Sequence, residues 1–184
     1  MVAHWLAELD GRRIAVEVPA SSANLGAGYD CLGVALECVN HVELEVRGWS
    51  RGSIELTVDG EGQGELPEDR SNRFVQGLEA GLREIRGELP DGVGWRIEMR
   101  NAIPLSRGLG SSAAATVAGI VAAGALLGGE LDRATQLRLA DRIEAKASAC
   151  RPLRYCARAS STHRRSRKGC CPVNTVPSVA TPAC

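Results

Sequence analysis

The chain has 184 residues, enough for one ordinary domain and short for two. At 44% hydrophobic and 24% charged it is globular rather than wholly disordered, and with aromatics at 3% its core must be aliphatic and small. The formal charge of zero hides a segregation: residues 1–144 carry 14 basic against 22 acidic side chains, a net of −8, whereas Lys146, Arg151, Arg154, Arg158, Arg164, Arg165, Arg167 and Lys168 face no acidic residue from Ala145 onward.

Cysteine follows the same split. Cys31 and Cys38 lie in the acidic body; Cys150, Cys156, Cys170, Cys171 and Cys184 lie beyond it. The number is odd, and His4, Glu8 and Asp10 stand where the apolar part of a secretory leader belongs. The expectation is a reducing cytoplasm with no disulfide framework. From Gly108 to Gly129 there is no charge, but the run is mostly Ala and Gly, which gain little in lipid. It reads as a buried helix with a small-residue face, and no membrane partner is expected.

Along the chain, RIAVEVP at 13–19 alternates as a strand, followed by Gly, Ser and Asn through Gly33. From His41, Val42, Leu44 and Val46 alternate with charged residues, and Ile54, Leu56 and Val58 repeat the pattern. Gly48 to Gly52 would be the turn of a hairpin between them. After a polar loop, Ser71 or Asn72 can cap a helix whose Phe74, Val75, Leu78, Leu82 and Ile85 share one face, with Gly87 ending it. Trp95, Ile97 and Met99 mark another strand. The small-residue helix follows, and Asp132 can cap a last helix, with Leu137, Leu139, Ala140 and Ile143 apolar, running to about Glu144. The class is α+β rather than a doubly wound parallel sheet. After Glu144 no period of 2 or 3.6 persists, and residues 145–184 read as a disordered basic Cys/Arg-rich tail.

Two segments carry chemistry. In PLSRGLGSSAAA, Pro104 to Ala115, a strand leads through a Gly-rich turn into a helix. The first turn of a helix offers unpaired N–H groups and a positive dipole end, both attractive to phosphate. Gly108 and Gly110 let phosphate oxygens approach the backbone, and Ser111 and Ser112 add hydroxyls, one of which can ligate Mg²⁺. There is no G-K-[ST], so this is not a Walker A loop. By itself the segment is also simply the glycine-rich start of a close-packed helix. In PASSANLGAGYDCLGVAL, Pro19 to Leu36, Asn24 and Asp30 sit in a Gly-rich bend that could wrap a small ligand, Asp30 pairing an amine. By itself this is equally a turn in which Asn24 caps backbone and Asp30 is solvated.

Together the two segments resemble the GHMP kinase superfamily and, within it, the homoserine kinases. The resemblance spans residues 13–144 and implies the two-layer N-terminal domain of that fold, of the ribosomal-protein domain-2-like kind, with the C-terminal domain missing. It implies ATP held along Pro104, Leu105, Ser106, Arg107, Gly108, Leu109, Gly110, Ser111, Ser112, Ala113 and Ala114, with Asn72 near the adenine. It implies Mg²⁺ on Ser112 and Glu144, and L-homoserine on Asn24 and Asp30. The implied activity is transfer of the ATP γ-phosphoryl to the homoserine side-chain hydroxyl, on the threonine-biosynthesis route, with no residue nominated as a catalytic base. A homodimer stays open.

The sequence departs from that family directly after Glu144. Where the family has a G-H-P-D-N type segment, this chain has Ala145, Lys146, Ala147, Ser148 and Ala149. The expectation is a truncated, impaired kinase with an out-of-frame tail, whose body leaves apolar faces uncovered. The alternatives are an inactive nucleotide-binding fragment and a non-enzymatic nucleic-acid binder acting through THRRSRKG. Nucleic acid is disfavoured. Zinc is too, since Cys150, Cys156, His163, Cys170 and Cys171 follow no tetrahedral-site spacing.

Overall fold

The computed structural model describes residues 8–23, 33–47, 53–87, 89, 93–129 and 131–144, and the backbone of 158–162. The elements in chain order are β1 (Arg13–Ser22), β2 (Val34–Arg47), β3 (Ile54–Gly60), α1 (Arg73–Arg86), β4 (Gly94–Asn101), α2 (Ser111–Leu126), α3 (Arg133–Glu144) and β5 (Arg158–Thr162). The strands form one sheet in the order β3-β4-β2-β1-β5.

Alternation sets the two faces of the sheet. Leu56, Ile97, Leu44 and Ile14 pair in sequence across β3, β4, β2 and β1, and Val58, Met99, Val42 and Val16 form the next such row. All eight are buried. Cross-strand apolar pairs of this kind are the unit of sheet stability. The opposite face carries charge: Arg13 bridges Glu45 at 3.0 Å, Arg96 bridges Glu98 at 3.0 Å, and Arg100 bridges Glu43 at 3.6 Å.

The helices cover the apolar face. Phe74, Val75, Leu78 and Leu82 of α1 are buried, each such side chain contributing roughly 2 kcal/mol of transfer free energy. Along α2 the buried residues include Ala114, Val117, Ala118, Ile120, Ala122, Ala123 and Leu126, so that helix is enclosed on most of its surface, as the run of Ala and Gly requires. Small residues set how closely α1 and α2 approach: a Cβ at Gly77 would lie 2.1 Å from the Thr116 carbonyl oxygen. Among the described residues no helix is long and apolar enough to cross a membrane.

Three expectations change. β2 and β3 are not a hairpin; β4 lies between them, antiparallel to β2 and parallel to β3. Parallel neighbours need a crossover, and α1 supplies it, because its apolar stripe must be buried against the sheet. The proposed turn at 48–52 lies outside the described residues. Second, within the tail, residues 158–162 pair antiparallel with β1, Arg13 opposite Thr162 and Glu17 opposite Arg158. The exposed edge of β1 offers a row of backbone groups that a segment without apolar alternation can still satisfy. The rest of 145–184 lies outside the described residues. Third, an uncovered apolar face is absent from the described residues, where Val34, Ile85 and Leu137 are the exposed large hydrophobics.

Candidate phosphate and cation site

The Gly-rich turn is fixed from below by β2. Asn40, buried within the strand, accepts through Oδ1 from the Ala102 and Ile103 amides at 2.8 and 2.9 Å. These bonds anchor the chain where β4 gives way to the turn. Cys38 Sγ adds a contact of 3.0 Å to the Ala102 carbonyl. Pro104 and Leu105 are half-buried as the stem, whereas Ser106, Arg107 and Gly108 are exposed at the tip.

Gly110 then opens α2 in the left-handed region, φ 71°, and no side chain caps the helix. A Cβ there would lie 2.8 Å from Ser21 Oγ, so glycine is required by conformation and by space. Ala114 already donates its amide to the Gly110 carbonyl at 2.8 Å, and its methyl is buried in the core. The orphan amides of the first turn are therefore those of Ser111, Ser112 and Ala113. Their partial positive charge, with the dipole behind it, makes this end of α2 fit for phosphate.

The two segments singled out in the sequence meet here. Ser21 donates its amide to the Leu109 carbonyl at 3.0 Å. Ser22 pairs with Val34, so the ends of the β1–β2 connection are held together beside the Gly-rich turn. Asn24 and Asp30 belong to that connection and lie outside the described residues.

Ser112 and Glu144 are brought together from the start of α2 and the end of α3. The Ser112 hydroxyl lies 3.1 and 3.2 Å from the two Glu144 oxygens. Thr116, one turn beyond Ser112, donates to Glu144 Oε1 at 2.7 Å. Arg73 Nε stands 3.9 Å from the same oxygen, and Arg73 Nη1 donates to the Ile143 carbonyl at 3.0 Å, tying α1 to the end of α3. A hydroxyl and a carboxylate are hard oxygen donors suited to Mg²⁺, which fills its remaining positions with phosphate oxygens and water. Among the described residues no three His, Cys, Asp or Glu gather into a self-contained metal cage.

Asn72 has a different local role. It caps α1, accepting from the Phe74 amide at 2.9 Å, and donates to the Pro67 carbonyl at 2.8 Å. Its side chain is buried and engaged in the turn that starts α1.

The sequence reading missed Asn40, Thr116 and Arg73. Thr116 was discoverable, since positions four apart share one helix face and Ser112 was already marked. Asn40 announced itself only as a polar residue inside an apolar strand. Arg73 carries no signal, because its partners depend on how α1 and α3 pack.

Residues 72–151 match the family described as GHMP kinases N terminal domain, a match that runs past Glu144. The chain is 48% identical over 136 residues to a homoserine kinase of Corynebacterium urealyticum, covering 73% of this chain and 42% of that protein. It is 41% identical over 140 residues to a homoserine kinase of Caldanaerobacter subterraneus, covering 76% of this chain and 43% of that protein. The crystal structure of a homoserine kinase from Cytophaga hutchinsonii superposes with a TM-score of 0.61 at 33% identity, covering 75% of this chain and 43% of that one. A mevalonate kinase from Methanococcus jannaschii, at 18% identity and a TM-score of 0.53, shares the fold. The matched part of the chain thus spans somewhat less than half the length of these relatives, 42% and 43% for the first two homoserine kinases.

Proposed function

We propose, on the premise that this chain carries the N-terminal domain of the GHMP kinases, that it is a homoserine kinase by descent, built to move the ATP γ-phosphoryl to the side-chain hydroxyl of L-homoserine. The observation that carries the reading is the meeting of Ser112 and Glu144 at 3.1 Å beside the uncapped N-terminus of α2. The reading includes a place in threonine biosynthesis and a cytoplasmic setting. It is supported by homoserine kinases at 48% identity and, for the substrate, by the Pro19–Leu36 segment.

Each residue has a task. The Ser111, Ser112 and Ala113 amides hold phosphate oxygens, and Gly108 and Gly110 keep side chains out of their way. Ser112 and Glu144 would hold Mg²⁺, which supplies neutralisation of the charge on the transferring group. Asn24 and Asp30 would hold homoserine, Asp30 facing its ammonium. Ser21, bonded to Leu109, ties the end of β1 to the phosphate turn. Positioning of this kind supplies most of the acceleration in phosphoryl transfer, and no side chain is assigned as a base.

A second reading is a fragment that binds nucleotide without turning over. It is favoured by Ala145–Ala149 standing where the family has its G-H-P-D-N type segment. A coupled phosphotransfer assay on the 184-residue chain, with ATP, Mg²⁺ and L-homoserine, separates the two. Phosphohomoserine that disappears with Ser112→Ala supports the kinase. No product, with nucleotide still bound in a Mg²⁺-dependent way, supports the fragment. Absence of both activities overturns the reading of the site.

A further inference from the structure

The two carboxylate oxygens of Glu144 have different surroundings. Oε1 accepts from Thr116 Oγ1 at 2.7 Å and faces Arg73 Nε at 3.9 Å. The Ser112 hydroxyl lies between the two oxygens, 3.1 Å from Oε1 and 3.2 Å from Oε2, so Thr116 and Arg73 are what distinguish Oε1 from Oε2. Thr116 is fully buried and Ser112 is exposed, so the contacts on Oε1 come partly from the domain interior and Ser112 stands on the solvent side. A glutamate at the last residue of a helix otherwise samples many rotamers, and ligation would have to freeze them.

We propose that Thr116 is a positioning residue for the cation site: its hydroxyl pins Oε1 and leaves Oε2, beside Ser112 Oγ, as the oxygen that meets a divalent cation. The proposal rests on reading Ser112 and Glu144 as cation ligands. Its physical basis is general, since ligating carboxylates depend on hydrogen bonds from their own neighbours to hold their orientation. Thr116 is suited to the task because it lies four residues beyond Ser112 on the same helix face. Its single hydroxyl proton has the Ser112 carbonyl as a second acceptor at 3.2 Å, and the shorter distance to Oε1, 2.7 Å, favours the carboxylate.

The test uses the full chain with a non-hydrolysable ATP analogue and follows free Mn²⁺ by electron paramagnetic resonance. Thr116→Val keeps shape and removes the donor; Thr116→Ser keeps the donor. The expected result is Mn²⁺ affinity weakened about tenfold or more by Val and restored by Ser. Affinity for the analogue measured without divalent cation should stay unchanged in both. If Val at this buried position unfolds the chain, Thr116→Ala carries the same expectation, with circular dichroism reporting the fold. Wild-type Mn²⁺ affinity in a folded Val or Ala variant overturns the role of Thr116 while leaving the ligand pair standing. Wild-type affinity in Glu144→Gln overturns the ligand pair and, with it, this inference.

Discussion

Gly119 of α2 packs directly on the Phe74 carbonyl of α1: a Cβ at Gly119 would lie 2.1 Å from that oxygen and 2.6 Å from the Leu78 nitrogen. These are backbone atoms of a buried helix, which cannot step aside singly. The same glycine that loosens an isolated helix lets α1 and α2 close over the sheet. Two effects oppose each other in Gly119→Ala. Helix propensity favours the variant by about 1 kcal/mol, whereas overpacking costs roughly 1–3 kcal/mol and more where backbone must move. Overpacking should win, because the blocking atoms are backbone, with a net loss of about 1–2 kcal/mol in urea unfolding.

Asn40 should matter more than its place on a strand suggests. Its Oδ1 holds the amides of Ala102 and Ile103, so Asn40→Ala leaves both without that partner. The expected cost is roughly 2 kcal/mol, since a buried donor left unpaired costs about 1–3 kcal/mol. The loss should appear twice, as a lower urea midpoint and as weaker nucleotide binding, because the same bonds anchor the Gly-rich turn. Asn40→Asp keeps the acceptor and should recover most of the binding.

Gly110→Ala tests the turn itself. The substitution forces a side chain at φ 71° against Ser21 Oγ, where a Cβ would lie at 2.8 Å. Nucleotide binding should fall by more than stability does, since α2 can shift its first turn without unmaking its buried face. Calorimetric titration beside thermal melting separates the two effects.

Acid should loosen α3 at its start. Hydrogen bonds from the Thr135 hydroxyl and amide hold the Asp132 carboxyl below its ordinary value. A depressed folded-state pKa gives stability that is present above the unfolded pKa and lost as pH falls through the folded one. The melting temperature should therefore drop below about pH 4, the ordinary range for aspartate. Thr135→Val should reduce the Asp132 share of that drop. Asp69, lowered by the Ser71 hydroxyl and amide, contributes in the same direction and stays as the residual slope.

How much of this was legible depended on whether the signal was local. Period-2 alternation marks Ile14, Val16 and Val18 as one buried face, and residue type alone marks Asp132 as a cap and narrows the α1 cap to Ser71 or Asn72, of which the structure uses Asn72. Strand order is not local. β2 and β3 alternate alike and adjoin in sequence, so a hairpin was the natural reading. The need to bury the Phe74–Leu82 stripe instead places α1 between β3 and a parallel β4. The site divides in the same way. Gly110 and the pair Ser111 and Ser112 were readable from a turn entering a helix, whereas the choice of Ser112 and Glu144 as cation ligands came only from the family resemblance. The hold of Thr116 and Arg73 on Glu144 is made only by the packing of three helices. Strand β5 was illegible because edge pairing uses backbone groups that every residue except proline offers.

The central claim is that Ser112 and Glu144 make the start of α2 a site for a nucleotide with its cation. The most direct measurement is calorimetric titration of ATP into the 184-residue chain with Mg²⁺ and with chelator, repeated on Glu144→Gln. The account predicts tighter binding with Mg²⁺ in the unaltered chain and loss of that gain in the variant. Binding that is absent, or equal with and without Mg²⁺ in both proteins, would contradict it.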